Sequence, residues 1–207
     1  MDSLLLILFQ IVVLIYSVVI HELSHGLMAN SLGDSTAKHL GRLTLNPFKH
    51  LDMFGSVLLP LFLFFVRSPF IFGYAKPVPY NPANLTDSKY GPAKVALAGP
   101  ASNLALALLF GLSYRFMPDV FSTSLVPQLF SFIVLLNLIL AVFNLFPIPP
   151  LDGHWLLMSF LPARFNRLKV ALYRYNLVLL LIFLLFIFPI VLPLIYSLFR
   201  FIVGGGV

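Results

Sequence analysis

Four stretches of this chain, residues 4 to 30, 92 to 116, 127 to 147 and 176 to 201, stay apolar over the ~20 residues that a helix needs to cross the hydrocarbon layer of a bilayer. In lipid every backbone polar group must find its partner inside its own segment, so apolar runs of this length fold as α-helices. Composition agrees. Of 207 residues, 60% are hydrophobic and 10% charged, which leaves too few polar side chains to coat a soluble globule. The chain therefore reads as an all-α polytopic membrane protein, one membrane-embedded domain over residues 1–207, with no internal repeat and no separate soluble domain. No basic residue precedes the first run, so it reads as a retained helix and not as a signal peptide.

A fifth hydrophobic segment, 54 to 72, is shorter. It carries Pro60, reaches Arg67 after about a dozen apolar residues, a length typical of re-entrant or interfacial elements, and is then broken by Ser68-Pro69. If it enters and leaves on one side, Lys38, Arg42, Lys49, Arg67, Lys76, Lys89, Lys94, Arg164, Arg167, Lys169 and Arg174 all share a face, opposed only by Arg115 and Arg200. The positive-inside rule favours that arrangement, with the N-terminus outside. The first and third full spans then run parallel, and their C-terminal halves meet toward the cytoplasmic side.

At the end of the first apolar run stands His21-Glu22-Leu23-Ser24-His25. Ionisable side chains at membrane depth cost roughly 3 kcal/mol or more each and mark a functional site with a nameable partner. Two histidines four apart lie one turn above each other on one helix face and can both give a ring nitrogen to one metal ion, with Glu22 placed to work on a water at that ion. The chain has no cysteine, so any transition-metal site must be built from imidazole and carboxylate.

The second cluster, Asn144-Leu145-Phe146-Pro147-Ile148-Pro149-Pro150-Leu151-Asp152-Gly153, closes the third span. Its prolines stop the helix and leave carbonyls unpaired, which membrane depth tolerates only inside protein or beside a wet cavity. Asp152 can supply a third metal ligand, leaving a fourth tetrahedral position open. It can equally cap the helix that begins near Gly153, and the residues alone leave both readings open.

Taken in order, His21-Glu22-x-x-His25, Gly99-Pro100-Ala101-Ser102-Asn103 and Asn144 through Leu151-Asp152-Gly153 resemble the site-2 protease family of intramembrane zinc metalloproteases, peptidase family M50. Gly33-Asp34, the 41–47 stretch and Gly73-Tyr74-Ala75-Lys76-Pro77-Val78-Pro79 resemble its compact branch, which lacks PDZ and CBS domains. The resemblance covers nearly the whole chain. It implies one zinc ion per chain on His21, His25 and Asp152, Glu22 as general base, and Asn144 as a group that holds substrate or the developing oxyanion. It also implies membrane-protein substrates, cut near the cytoplasmic side of a prokaryotic cell membrane.

Other residues carry plainer expectations. Asn103 reads as a hydrogen bond between helices, and Gly99-Pro100-Ala101-Ser102 as close helix packing. His39 and His50, in a polar loop, read as solvated, and His154 as a neighbour of the cavity. The proline-rich stretch 73–82 runs extended, as a connector or as an edge that takes a substrate strand. Arg164, Arg167, Lys169 and Arg174 suit anionic headgroups, which accounts for the net charge of +6 without nucleic acid. Two rivals stand beside the protease reading. One is an inactive protease-like scaffold that binds metal and a partner helix. The other is a zinc peptidase with a glutamate as third ligand, which Glu22, the only glutamate, disfavours.

Overall fold

A computed structural model describes residues 3–67, 75–121 and 124–205, and among these there are helices and turns but no strand. The helices are α1 (Ser3–Ser31), α2 (Thr36–His39), α3 (Leu59–Phe65), α4 (Gly91–Arg115), α5 (Val126–Asn144), α6 (Gly153–Phe160), α7 (Asn166–Arg174), α8 (Asn176–Ile182) and α9 (Phe188–Val203). Four helical runs are long and apolar enough to cross a membrane: Leu4–Ser31, Gly91–Arg115, Val126–Asn144 and Asn176–Val203. They coincide with the four expected spans. The last joins α8 and α9 through a π-helical stretch, Phe183–Ile187.

The fifth segment forms a short helix. A π-helical start, Met53–Leu58, runs into α3, and Asp52 caps it by accepting the Gly55 N–H at 2.7 Å. At ~1.5 Å per residue the two together reach ~20 Å, well short of the ~30 Å hydrocarbon layer. Whether the segment re-enters falls on residues 68–74, outside the described residues.

Helix α4 is the hub and packs against α1, α5, α6 and α9. Small residues make this possible, since Gly91, Ala93, Ala96, Gly99, Ala107 and Gly111 are all buried on its faces. Cross-helix contacts set the directions. Ser17 and His21 of α1 face Asn103, while His25 faces Val95, so α1 and α4 run antiparallel. Asn103 and Gly111 of α4 face Asn137 and Val134 of α5, again antiparallel. Hence α1 and α5 are parallel, as expected from the sequence, and both lead toward the same end of the bundle.

The apolar core lies at the opposite end, where Ala107, Val134, Leu138, Ile195, Phe199, Ile202 and Val203 join α4, α5 and α9. Phe183, in the π-helical stretch, is fully buried against Phe143, Phe146 and Phe188. That cluster backs the end of α5 and the turns through which the chain passes to Asp152. Elsewhere α1 and α9 expose Leu4, Leu8, Ile11, Ile190, Leu194 and Phe201, as helices facing lipid do.

Candidate metal centre

His21 and His25 project from one face of α1, buried between it and α4, with their rings edge to face at 4.7 Å between centroids. Their Nε2 atoms are 3.0 Å apart. The turns after α5 bring Asp152 onto the pair, with its Oδ2 at 3.0 Å from His21 Nε2 and 3.3 Å from His25 Nε2. All three donor atoms lie within 4.8 Å of one another, at the end of the bundle where α1 and α5 converge. Asp152 occupies the N-cap position of α6, yet its side chain makes no capping hydrogen bond. Between the two readings open at that residue, its carboxylate is turned to the histidines.

The outer ring nitrogens decide what the inner ones can offer. His25 Nδ1 lies 2.7 Å from the Val95 carbonyl oxygen, which can only accept, so Nδ1 carries the proton. His21 Nδ1 lies 2.5 Å from Asn103 Oδ1. With both Nδ1 atoms donating, neutral rings aim Nε2 lone pairs at each other and at a carboxylate oxygen. Three acceptors turned on one point are mutually repulsive unless a cation lies between them. Tetrahedral ligands at ~2.0 Å from zinc sit ~3.3 Å from each other, against the 3.0, 3.0 and 3.3 Å found here. Two imidazoles and a carboxylate at these spacings fit a zinc-type ion.

Gly99 makes this closeness possible. A Cβ built there would fall 2.5 Å from His21 Nε2 and 2.6 Å from His25 Cε1, so only glycine leaves room for the paired rings. The Gly-Pro-Ala-Ser stretch is thus a packing element, as its composition suggested, and the side it packs is the ligand pair.

Glu22 lies ~60° around α1 from His25. Its Oε2 accepts the Val78 N–H at 2.8 Å. Gly26, one turn on, admits the Val78 side chain, since a Cβ there would fall 2.8 Å from Val78 Cγ1. Residues 75–81, without helix and bordering the site, are held by further bonds. Arg42 Nη2 donates to the Lys76 and Pro77 carbonyls at 2.9 and 3.3 Å, and His50 O accepts the Lys76 N–H at 2.8 Å. The part of the expected extended stretch at residues 73 and 74 lies outside the described residues.

Asn144 is placed differently from the other expected site residues. Its amide turns back along α5, Nδ2 donating to Leu140 O at 3.0 Å. His154 is buried with Nδ1 on Leu151 O at 2.6 Å, its ring against Trp155 and Tyr173. His39 is exposed, as expected. His50 is a correction: it is 1% exposed, with Nε2 bonded to Thr44 O at 2.8 Å. The loop folds under residues 75–81 and takes the ring with it, so a polar loop did not mean a solvated histidine.

Sequence reasoning missed the partners of the ligands. The sequence favours Asn103 as a link between helices without deciding its role, and nothing in it marks Ser17 or Asn137. A signal was present in the register, because 95, 99 and 103 fall on one stripe of α4 at four-residue steps.

The profile of Peptidase family M50 matches residues 119–188, which include α5 and Asp152. Among curated proteins, YwhC of Bacillus subtilis, provisionally named a zinc metalloprotease, is 42% identical over 161 residues, covering 74% of this chain and 69% of YwhC. Rip2 of Mycobacterium tuberculosis, with the same provisional description, is 32% identical over 173 residues, covering 84% of this chain and 64% of Rip2. The Rip2 protein of Mycolicibacterium smegmatis is 33% identical over 142 residues, 67% of this chain and 51% of that protein. This chain thus spans between half and about two thirds of the length of these relatives. No solved structure matches it. An all-helical membrane architecture, a match to the family profile and a relative matched over most of both chains agree on one assignment: the chain belongs to peptidase family M50 and is an integral-membrane metalloendopeptidase.

Proposed function

We propose that the protein is a zinc-dependent intramembrane endopeptidase that hydrolyses peptide bonds in or near the transmembrane segments of membrane-protein substrates. The observation that carries this reading is the convergence of His21 Nε2, His25 Nε2 and Asp152 Oδ2 on one point among membrane-spanning helices. In this reading these three residues hold one zinc ion per chain. Zinc bound there supplies Lewis acidity, acidifying water toward neutral pH and polarising a carbonyl.

The remaining steps belong to the chain. Glu22 takes the proton of the attacking water and returns it to the leaving amine. The bond from Val78 N–H holds its carboxylate on the same side of α1 as His25 while it does so. Asn144 gives up Leu140 O and presents its amide to the substrate backbone or to the oxyanion that develops on it. A helical substrate must unwind before its carbonyl reaches the site, and residues 75–81, a stretch of backbone without helix that is tied to Glu22 through Val78, are suited to take its strand. The exposed Arg164, Arg167 and Arg174 suit anionic headgroups, and with the other basic residues they support a site toward the cytoplasmic side of a prokaryotic cell membrane.

Metal analysis of detergent-purified protein, paired with cleavage of a single-span substrate, tests the reading. Wild type should carry one zinc, His21→Ala and Asp152→Ala should carry none, and Glu22→Gln should keep zinc and lose cleavage. Full zinc in Asp152→Ala, or undiminished cleavage by Glu22→Gln, would overturn it.

A further inference from the structure

Ser17 on α1, Asn103 on α4 and Asn137 on α5 form a polar cluster inside the bundle, 3%, 0% and 0% exposed. Every orientation in it is forced from two backbone carbonyls. Ile133 O only accepts, so the atom of Asn137 at 2.9 Å from it is the amide nitrogen, which also donates to Ser17 Oγ at 3.0 Å. Asn137 Oδ1 must then point toward Asn103, where it accepts Nδ2–H at 2.8 Å. Ser17 O, the second carbonyl, takes the other proton of the same nitrogen at 3.3 Å. Both Asn103 donors are thereby spent, and its Oδ1 is left facing His21 Nδ1.

We propose that Asn103 is a positioning residue for the metal site, its amide locked by Asn137 and Ser17 so that its oxygen fixes the tautomer and ring orientation of His21. This rests on the reading of His21, His25 and Asp152 as zinc ligands. The division of labour on α4 is regular. Val95 O holds His25, Gly99 leaves space for both rings, and Asn103 holds His21, at successive four-residue steps. A partner on the outer nitrogen of a ligating histidine raises its basicity and removes the wrong tautomer, and losing one typically weakens metal binding about 10–100-fold. The competing explanation is helix glue, since the cluster also ties three helices together, and glue of this kind stabilises the bundle without bearing on His21.

Two measurements on the detergent-solubilised protein separate the explanations: zinc affinity by chelator competition, and the His21 tautomer by nitrogen NMR of histidine-labelled, zinc-free protein. Wild type should show His21 as the Nδ1–H form. Asn103→Leu keeps the volume and removes the acceptor, so zinc should bind about 10–100-fold more weakly and His21 should become a tautomer mixture. Asn103→Asp keeps an acceptor facing His21 Nδ1 but gives up both Nδ2 donations, to Asn137 Oδ1 and Ser17 O, so His21 should stay in the Nδ1–H form even where the lost bonds lower the affinity. If Asn103→Leu does not survive purification, Asn137→Leu frees the Asn103 amide to turn and should give a smaller loss with a mixed tautomer. Wild-type affinity and an unchanged tautomer in Asn103→Leu or Asn137→Leu would overturn the proposal, as would a tautomer mixture in Asn103→Asp. Absence of zinc from wild type would remove the ligand assignment, and this inference with it.

Discussion

Glu22 and Val78 are joined by a hydrogen bond of 2.8 Å from the Val78 N–H to the Glu22 carboxylate. One side chain therefore both borders the histidine pair and holds the 75–81 segment. Glu22→Gln separates these roles, because the amide oxygen still accepts the Val78 N–H but is not a base at neutral pH. Cleavage should fall about 10²–10⁴-fold with zinc retained and the segment still protected from added protease. Glu22→Ala should lose the same activity and expose the segment as well. Equal protease sensitivity of the two variants would show that the bond does not hold the segment.

Gly99→Ala is a one-carbon change that ought to act as a ligand mutation. Its Cβ would overlap both imidazoles, and the rings can retreat only by leaving Val95 O or Asn103 Oδ1. Overpacking costs about 1–3 kcal/mol, which would appear here as zinc affinity lowered about tenfold or more. Chelator competition measures it, with Gly111→Ala as a comparison, since a Cβ at Gly111 would overlap the Ile202 side chain in the apolar core, away from the histidines. An unchanged zinc affinity in Gly99→Ala would mean that the ligand pair tolerates displacement.

The membrane helices were legible because lipid imposes a length and a composition on each span, and the four runs satisfy both without ambiguity. The candidate donors were legible for a related reason. His21 and His25 share a face by helical period, whereas for Asp152 the residues alone leave ligand and helix cap open, and only the resemblance of its Leu-Asp-Gly segment to the family favours the ligand. What could not be read was the far side of each imidazole. His25 is held by a main-chain carbonyl, which leaves no mark in the sequence, and His21 by an asparagine whose facing depends on how α1, α4 and α5 rotate against each other. The same limit misplaced His50. Its loop is polar, but Thr44 O and the Lys76 backbone draw it inside.

Asp34 gives a pH signature outside the spans. It is buried after α1, accepting from Thr36 Oγ1 at 2.6 Å, Asn81 N at 2.7 Å and Asn84 Nδ2 at 2.9 Å. Burial alone would raise its pKa, but the hydrogen bonds from Thr36, Asn84 and Asn81 outweigh it and hold the carboxyl below the ordinary aspartate value. A lowered folded pKa stabilises fully above the unfolded value of about 3.9 and ceases to as pH falls through the folded one. Asp34→Asn should therefore cost about 1–3 kcal/mol near neutrality, and its deficit against wild type should shrink on acidification below about pH 4. Thermal unfolding in detergent across pH checks this, and a deficit that stays constant or grows in acid would contradict it.

Arg42 offers the cleanest test of whether the 75–81 segment matters to the reaction. Arg42 is buried, and its Nη2 donates to both the Lys76 and Pro77 carbonyls from a side chain one bond longer than a lysine's, so a lysine ammonium at this position falls short of the pair. It lies on the loop after α1, outside the set of candidate ligands, so replacing it should leave zinc in place. Arg42→Lys should loosen residues 75–78 while Glu22 and His50 still hold Val78 N and Lys76 N. If the segment positions substrate, cleavage should fall on the order of tenfold or more, because small misplacements of a reacting group are costly, with zinc content equal to wild type. Hydrogen exchange at Lys76 and Val78 reports the loosening independently of activity. Faster exchange with undiminished cleavage would reduce the segment to a connector, and slower cleavage without faster exchange would assign the effect to Arg42 itself.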